Sequence, residues 1–209
     1  MGLHKNKESG VQGQKWQSAL ALAAVILLLR GGPSAAASAD MVPEFGRTCV
    51  ASKSVSDLKK ALAKGGWKVF ASLAESHLER EISTVTPMLE SQGLSSDYTI
   101  YGRDARGKHL ELALSETRKP VSGQRKLIGC SMYDFDATSP IDSATVGVFA
   151  SKIVGQKNTV GDVQFEKWDN VFGEGSGMRA VFIPPASPMG TQLGFTGMML
   201  GTHFLDAAS

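Results

Sequence analysis

The chain has 209 residues, with 22 lysines and arginines against 20 aspartates and glutamates and 42 % hydrophobic residues; that length and composition fit one domain able to bury a core. Lys5, Lys7, Lys15 and Arg30, against Glu8, lie in the first 39 residues, so the remainder holds 18 basic and 19 acidic residues, a net charge of about −1. A near-neutral domain gives no global electrostatic case for nucleic acid or anionic lipid, and neither is expected as a partner.

Residues 1–39 read as a cleavable signal peptide: a basic leader, the apolar run from Ala19 to Leu29, the breaker Gly31-Gly32-Pro33, and the small-x-small pattern Ala37-Ser38-Ala39. A run of roughly eleven apolar residues is too short to cross a bilayer as a helix, which takes about twenty. Residues 40–209 are then a single exported domain, periplasmic or secreted, with no stable membrane span after cleavage. No Asn-x-Ser/Thr sequon occurs, which favours a bacterial envelope over a eukaryotic secretory route. Oxidising compartments form and keep disulfides, so the two cysteines, Cys49 and Cys130, are expected to be bridged. Closing a loop of ~80 residues removes about 4 to 5 kcal/mol of unfolded-chain entropy in the simple model.

Beyond Cys49, Ser54 and Asp57 resemble a capping box, Val55, Leu58, Ala61 and Leu62 share a helical face, and Gly65-Gly66 ends that helix. Trp67 to Phe70 reads as a short strand or hydrophobic turn. From Ser72 a second helical stripe runs through Ala74, Leu78, Ile82, Val85 and Leu89, with Pro87 expected to break or kink it near Thr86. Tyr98 to Tyr101 and Lys108 to Thr117 form a hairpin; Leu110, Leu112 and Leu114 share one face, and His109, Glu111 and Ala113 point the other way. Lys126 to Asp136 is apolar at both parities, the pattern of an interior strand covered on both sides.

Ser139-Pro140-Ile141-Asp142 reads as a helix start, with Ile141, Thr145, Val148, Phe149 and Ile153 as its apolar face. Gly155 to Gly177 reads as a long connection, which in a compact domain is functional or weakly ordered. Met178 to Ile183 and the glycine-rich Leu193 to Phe204 read as strands, separated by a rigid loop at Pro184 to Pro188. The fold class expected is α+β: a largely antiparallel sheet of about five strands with about three packed helices and one disulfide.

No motif specifies a reaction. Gly173-Glu174-Gly175-Ser176-Gly177 precedes a strand where a phosphate-binding loop needs a helix N-terminus, so it reads as a turn. Beyond the leader the histidines His77, His109 and His203 are isolated in sequence, and no paired-ligand motif occurs, so neither a metal nor a cofactor is expected. Met198, Met199 and His203 are soft ligands, yet methionines at strand spacing read as core. The basic residues fall in two loops, Arg103, Arg106 and Lys108, and Arg118, Lys119, Arg125 and Lys126, at opposite ends of one strand. They form no single patch.

Two functional readings follow. The first is a non-enzymatic binding or accessory domain that meets an envelope protein or a small ligand through Phe165, Trp168 and Phe172, aromatics set among acids in the long connection. The second is a hydrolase using Asp134 and Asp136, two carboxylates at strand spacing that share a face and divide acid and base roles, with His109 or His203 brought close by the fold.

Overall fold

Eight strands, where about five were expected, make one antiparallel sheet: β1 (Lys68–Val69), β2 (Ser95–Ala105), β3 (Lys108–Arg118), β4 (Leu127–Asp134), β5 (Gln156–Val160), β6 (Val163–Asp169), β7 (Gly177–Ile183) and β8 (Gly197–Leu205). Their order across the sheet is β1-β2-β3-β4-β8-β7-β6-β5. Two four-stranded meanders therefore meet along a seam between β4 and β8. The computed structural model describes residues 40–105, 107–118, 125–150 and 153–206; the predicted leader, Arg106 and Lys119 lie outside the described residues. Among these, five α-helices occur rather than three: α1 (Met41–Phe45), α2 (Val55–Lys64), α3 (Glu79–Ser91), α4 (Ser143–Gly147) and α5 (Pro188–Leu193). None of them is long and apolar enough to cross a membrane.

The alternation along β3 and β4 sorts the core into two layers. Leu110, Leu112, Leu114, Ile128, Cys130 and Met132 pack under α1, α2 and Trp67 on one face. Ile100, Ala113, Tyr133 and Met199 face α3 and α5 on the other, with Leu78 and Ile82 closing over them. Cys49 follows α1 in a single π-helical turn, Gly46–Val50, and bridges to Cys130 at the centre of β4 across 81 positions. The cross-link fixes the N-terminal helices to the middle of the sheet. At α2 the N-cap is formed as expected, with Ser54 Oγ accepting from the Asp57 amide at 3.1 Å, while the Asp57 carboxylate accepts from the Ser54 hydroxyl at 2.9 Å.

Five local expectations change. The helix expected from Ser72 divides into a 3-10 turn, Leu73–Glu75, and α3, leaving Ser76 and His77 in the link between them. Pro87 does not end α3, which runs on to Ser91. The carbonyl its missing donor frees, that of Ser83, lies on the exposed side of the helix. The next helix starts at Ser143, capped by Asp142, whose Oδ1 accepts from the Ala144 amide at 3.2 Å; Ser139 and Pro140 precede it, Val146 is its buried position, and in the 3-10 turn Val148–Ala150 that follows Ala150 is buried and Val148 exposed. Most consequential, the segment from Gly155 to Gly177 is no open connection but the edge hairpin β5–β6, followed by a turn. Within the predicted Pro-rich loop, Pro188 opens α5 with Ser187 Oγ accepting from the Gly190 amide at 3.2 Å.

Candidate functional site: a cleft beneath α3

The sheet face under α3 is hollow at its centre. Cross-strand pairing puts Ala113, Ser131 and Gly201 in one row and Ser115 and Gly129 in the next, with Ile100 and Tyr98 at one end of these rows and Arg179 and His203 at the other. Five small residues side by side leave the covered face with little to fill it. The helix above adds to the gap. Of its apolar stripe, Leu78 and Ile82 are buried, whereas Val85 and Leu89 are only partly so, so the helix seats at its N-terminal end and leaves its far end standing over space. The result is a cleft of about 490 Å³ between Ile82, Val85 and Leu89 above and the two rows below.

Polar groups gather at one wall. The Tyr133 hydroxyl donates to Glu81 Oε1 at 3.0 Å, while Glu81 Oε2 is buried with no hydrogen-bond partner. Burial pushes the Glu81 carboxyl above the ordinary range, against the pull of Tyr133 and of Arg179. When this carboxyl takes up a proton, it offers a donor at Oε2. The Tyr133 hydroxyl is raised well above its ordinary value, by burial first and by the Glu81 charge second. His203 is held below its ordinary value by burial and by Arg179, so its imidazole is neutral near pH 7. Arg179 itself is exposed and lies across Gly201, where an added Cβ would stand 3.1 Å from both the Arg179 Nε and the Ser131 Oγ.

The residues singled out from sequence fall elsewhere. β4 ends at Asp134, and Asp136 lies beyond it in a turn, so the two carboxylates do not share a strand face. Asp134 is wholly buried; its Oδ1 accepts from the Asp136 amide at 3.1 Å and lies 3.8 Å from Lys108 Nζ. Asp136 contributes its backbone, and neither His109 nor His203 is a partner of Asp134. Trp168 is buried in the first core layer and Phe165 half-buried against the second, on opposite sides of β6. Phe172 is exposed, in a turn tied by Ser176, whose Oγ donates to the Gly173 carbonyl at 2.6 Å and accepts from the Phe172 amide at 2.8 Å. The three aromatics therefore share no surface.

The described basic residues are largely matched to acids: Arg103 to Glu44, Arg118 to Asp97 and Lys126 to Glu116. Met198 and Met199 divide between the two core layers and cannot meet on one ion. The cleft was missed in the sequence because its floor is made of small residues on three strands that only the sheet register brings together. Comparison with protein-family models, with curated proteins and with solved structures gives no match.

Proposed function

We propose that this is an exported, non-enzymatic binding domain whose ligand is a small amphipathic carboxylate held beneath α3. The observation that carries the reading is the pair of small-residue rows lying under a partly unburied apolar stripe, an apolar space with polar groups convergent at one wall. The ligand's chain lies against Ile82, Val85, Leu89 and Met199. Its head group pairs with Arg179, and with Glu81 when that carboxyl carries a proton, a charge-assisted arrangement that prefers a carboxylate over a neutral head. The disulfide supports export, since such bonds persist in oxidising compartments.

Titration of the protein with octanoate and with octanol, followed by calorimetry and by amide NMR shifts, tests the reading. Octanoate binds more tightly than octanol, its shifts cluster on β3, β4, β8 and α3, and Arg179→Met removes the preference without lowering the melting temperature. Equal binding of acid and alcohol, no binding of either, or shifts confined to another surface would overturn it.

A further inference from the structure

His77, His109 and Glu111 each offer one donor atom, and these atoms lie within 4.8 Å of one another. Two of the three come from strand alternation: His109 and Glu111 are two apart on β3 and project from the same face. The third arrives because the helix expected from Ser72 is interrupted, leaving His77 in the link that drops onto that face. Glu111 Oε1 is their common point, 2.7 Å from His77 Nδ1 and 3.6 Å from His109 Nε2.

An outer layer of groups fixes this arrangement. The Ser76 hydroxyl donates to Glu111 Oε2 at 2.7 Å, and the His77 amide donates to Oε1 at 3.1 Å. His109 Nδ1 lies 2.8 Å from Oδ1 of Asp104, its direct cross-strand neighbour. With Nδ1 engaged there, the nitrogen left free is Nε2, the one that faces Glu111. A carboxylate on the far nitrogen of a metal-bound histidine sets the ring's orientation and raises its basicity. Opposite Glu111 on β2 stands Gly102, where a Cβ would come within 2.7 Å of the Phe70 ring and 3.4 Å of His109 Cε1. Its bare backbone leaves room for the rings that wall the cluster.

Satisfying a buried carboxylate does not require this much. Glu111 already has a hydroxyl and an amide, yet two imidazoles converge on it, and a second carboxylate stands behind one of them. The exposure is graded too: the Glu111 side chain is 0 % exposed, that of His109 40 % and that of His77 66 %. The carboxylate forms the base and the imidazoles the mouth, so the position beyond them faces solvent.

The geometry points to a mononuclear site for a zinc-class divalent ion, with His77 Nδ1, His109 Nε2 and a Glu111 carboxylate oxygen as its protein ligands and a fourth position open to water or a small ligand. Two imidazoles with one carboxylate suit borderline ions such as zinc, whereas calcium and magnesium prefer oxygen throughout. On binding, the metal takes the place of the hydrogen between His77 Nδ1 and Glu111, and the neutral His77 ring carries its one hydrogen on Nε2. The separation of Nδ1 from the carboxylate widens to the ~3.3 Å expected for two ligands ~2 Å from a tetrahedral ion. This site goes beyond the carboxylate cleft and does not depend on it: the two use different residues on one sheet face.

The test is a titration of the tag-free, chelator-dialysed chain with Co2+ and then Zn2+. One equivalent of Co2+ produces the visible ligand-field absorption of a four- or five-coordinate ion, and Zn2+ bleaches it. His77→Ala and His109→Ala each lower affinity at least about 100-fold, and Asp104→Asn, acting through His109, about 10-fold. Both imidazoles are at least partly exposed, so these variants keep the metal-free melting temperature, and Glu111→Gln is judged beside them by circular dichroism. Absence of a one-equivalent Co2+ complex, binding that survives both histidine variants, or displacement of Zn2+ by equimolar Ca2+ overturns the assignment.

Discussion

Glu44 on α1 and Arg103 on β2 meet with Nη1 2.6 Å from Oε1, joining the N-terminal helix to the sheet. The Trp67 indole donates to the same oxygen at 3.2 Å, and Arg47 donates to Oε2 at 2.6 Å. Burial pushes the Glu44 carboxyl up, but Arg47, Trp67 and Arg103 outweigh it and hold it below the ordinary range. A carboxylate whose folded pKa is depressed contributes stability above its unfolded pKa and loses it as pH falls through the folded one. Glu44→Gln is expected to cost about 1 to 3 kcal/mol at pH 7, measured by urea unfolding, and the cost should shrink on acidification through the glutamate range. A loss that is constant with pH would mean the carboxylate's charge is irrelevant.

Glu81 carries the opposite sign. Its folded pKa is raised by burial, so the folded chain holds the proton more tightly than the unfolded one, and the contribution is full at acid pH and lost as pH rises through the folded value. Glu81→Gln keeps an acceptor for Tyr133 and removes the charge. The variant should be more stable than the parent by about 1 kcal/mol at pH 8 and equal to it at pH 4; the check is a series of thermal melts across that range.

Reduction should be costly. The bridge between Cys49 and Cys130 closes a loop of 81 positions, and removing a bridge of that span costs about 2 to 5 kcal/mol. Melting with and without a thiol reductant, beside the Cys49→Ala, Cys130→Ala double variant, measures it. Unchanged stability in both would show that α1 and α2 are held to the sheet by packing alone.

Trp168 and Phe172 separate fastening from capture. Trp168 is 2 % exposed and Phe172 42 %, so Trp168→Ala should lose about 3 to 5 kcal/mol, while Phe172→Ala should stay within about 0.5 kcal/mol of the parent. Chemical denaturation gives both numbers. A pull-down from envelope extract that weakens with Phe172→Ala would restore a recognition role to that turn.

What the sequence disclosed was what local pattern can carry. Leu110, Leu112 and Leu114 announced one face of β3, the two-sided apolarity around Cys130 announced an interior strand, and two cysteines behind an export-like leader announced the bridge. β5 stayed hidden because all five of its residues are exposed, so no alternation marks it. β6 stayed hidden because Phe165 and Trp168, three apart, break period two by burying opposite sides. α5 has six residues, of which Pro188, Gly190 and Thr191 are weak helix formers, and only its Ser187 cap and opening proline gave a signal. Both candidate sites depend on register. The alternation of His109 and Glu111 was visible, but His77 lies 34 positions from Glu111 and reaches it through a helix break that its apolar rhythm concealed.

The seam between β4 and β8 also sets an order of events. Because β8 is hydrogen-bonded to β4 on one side and to β7 on the other, neither meander can be joined to its neighbour until residues 197–205 have been made. Before that, β4 and β7 each present a bare edge of unpaired amides and carbonyls, the kind of surface on which chains aggregate. The sheet is thus completed by insertion of its last strand between two waiting halves, so a chain that lacks residues 197–205 has no finished sheet.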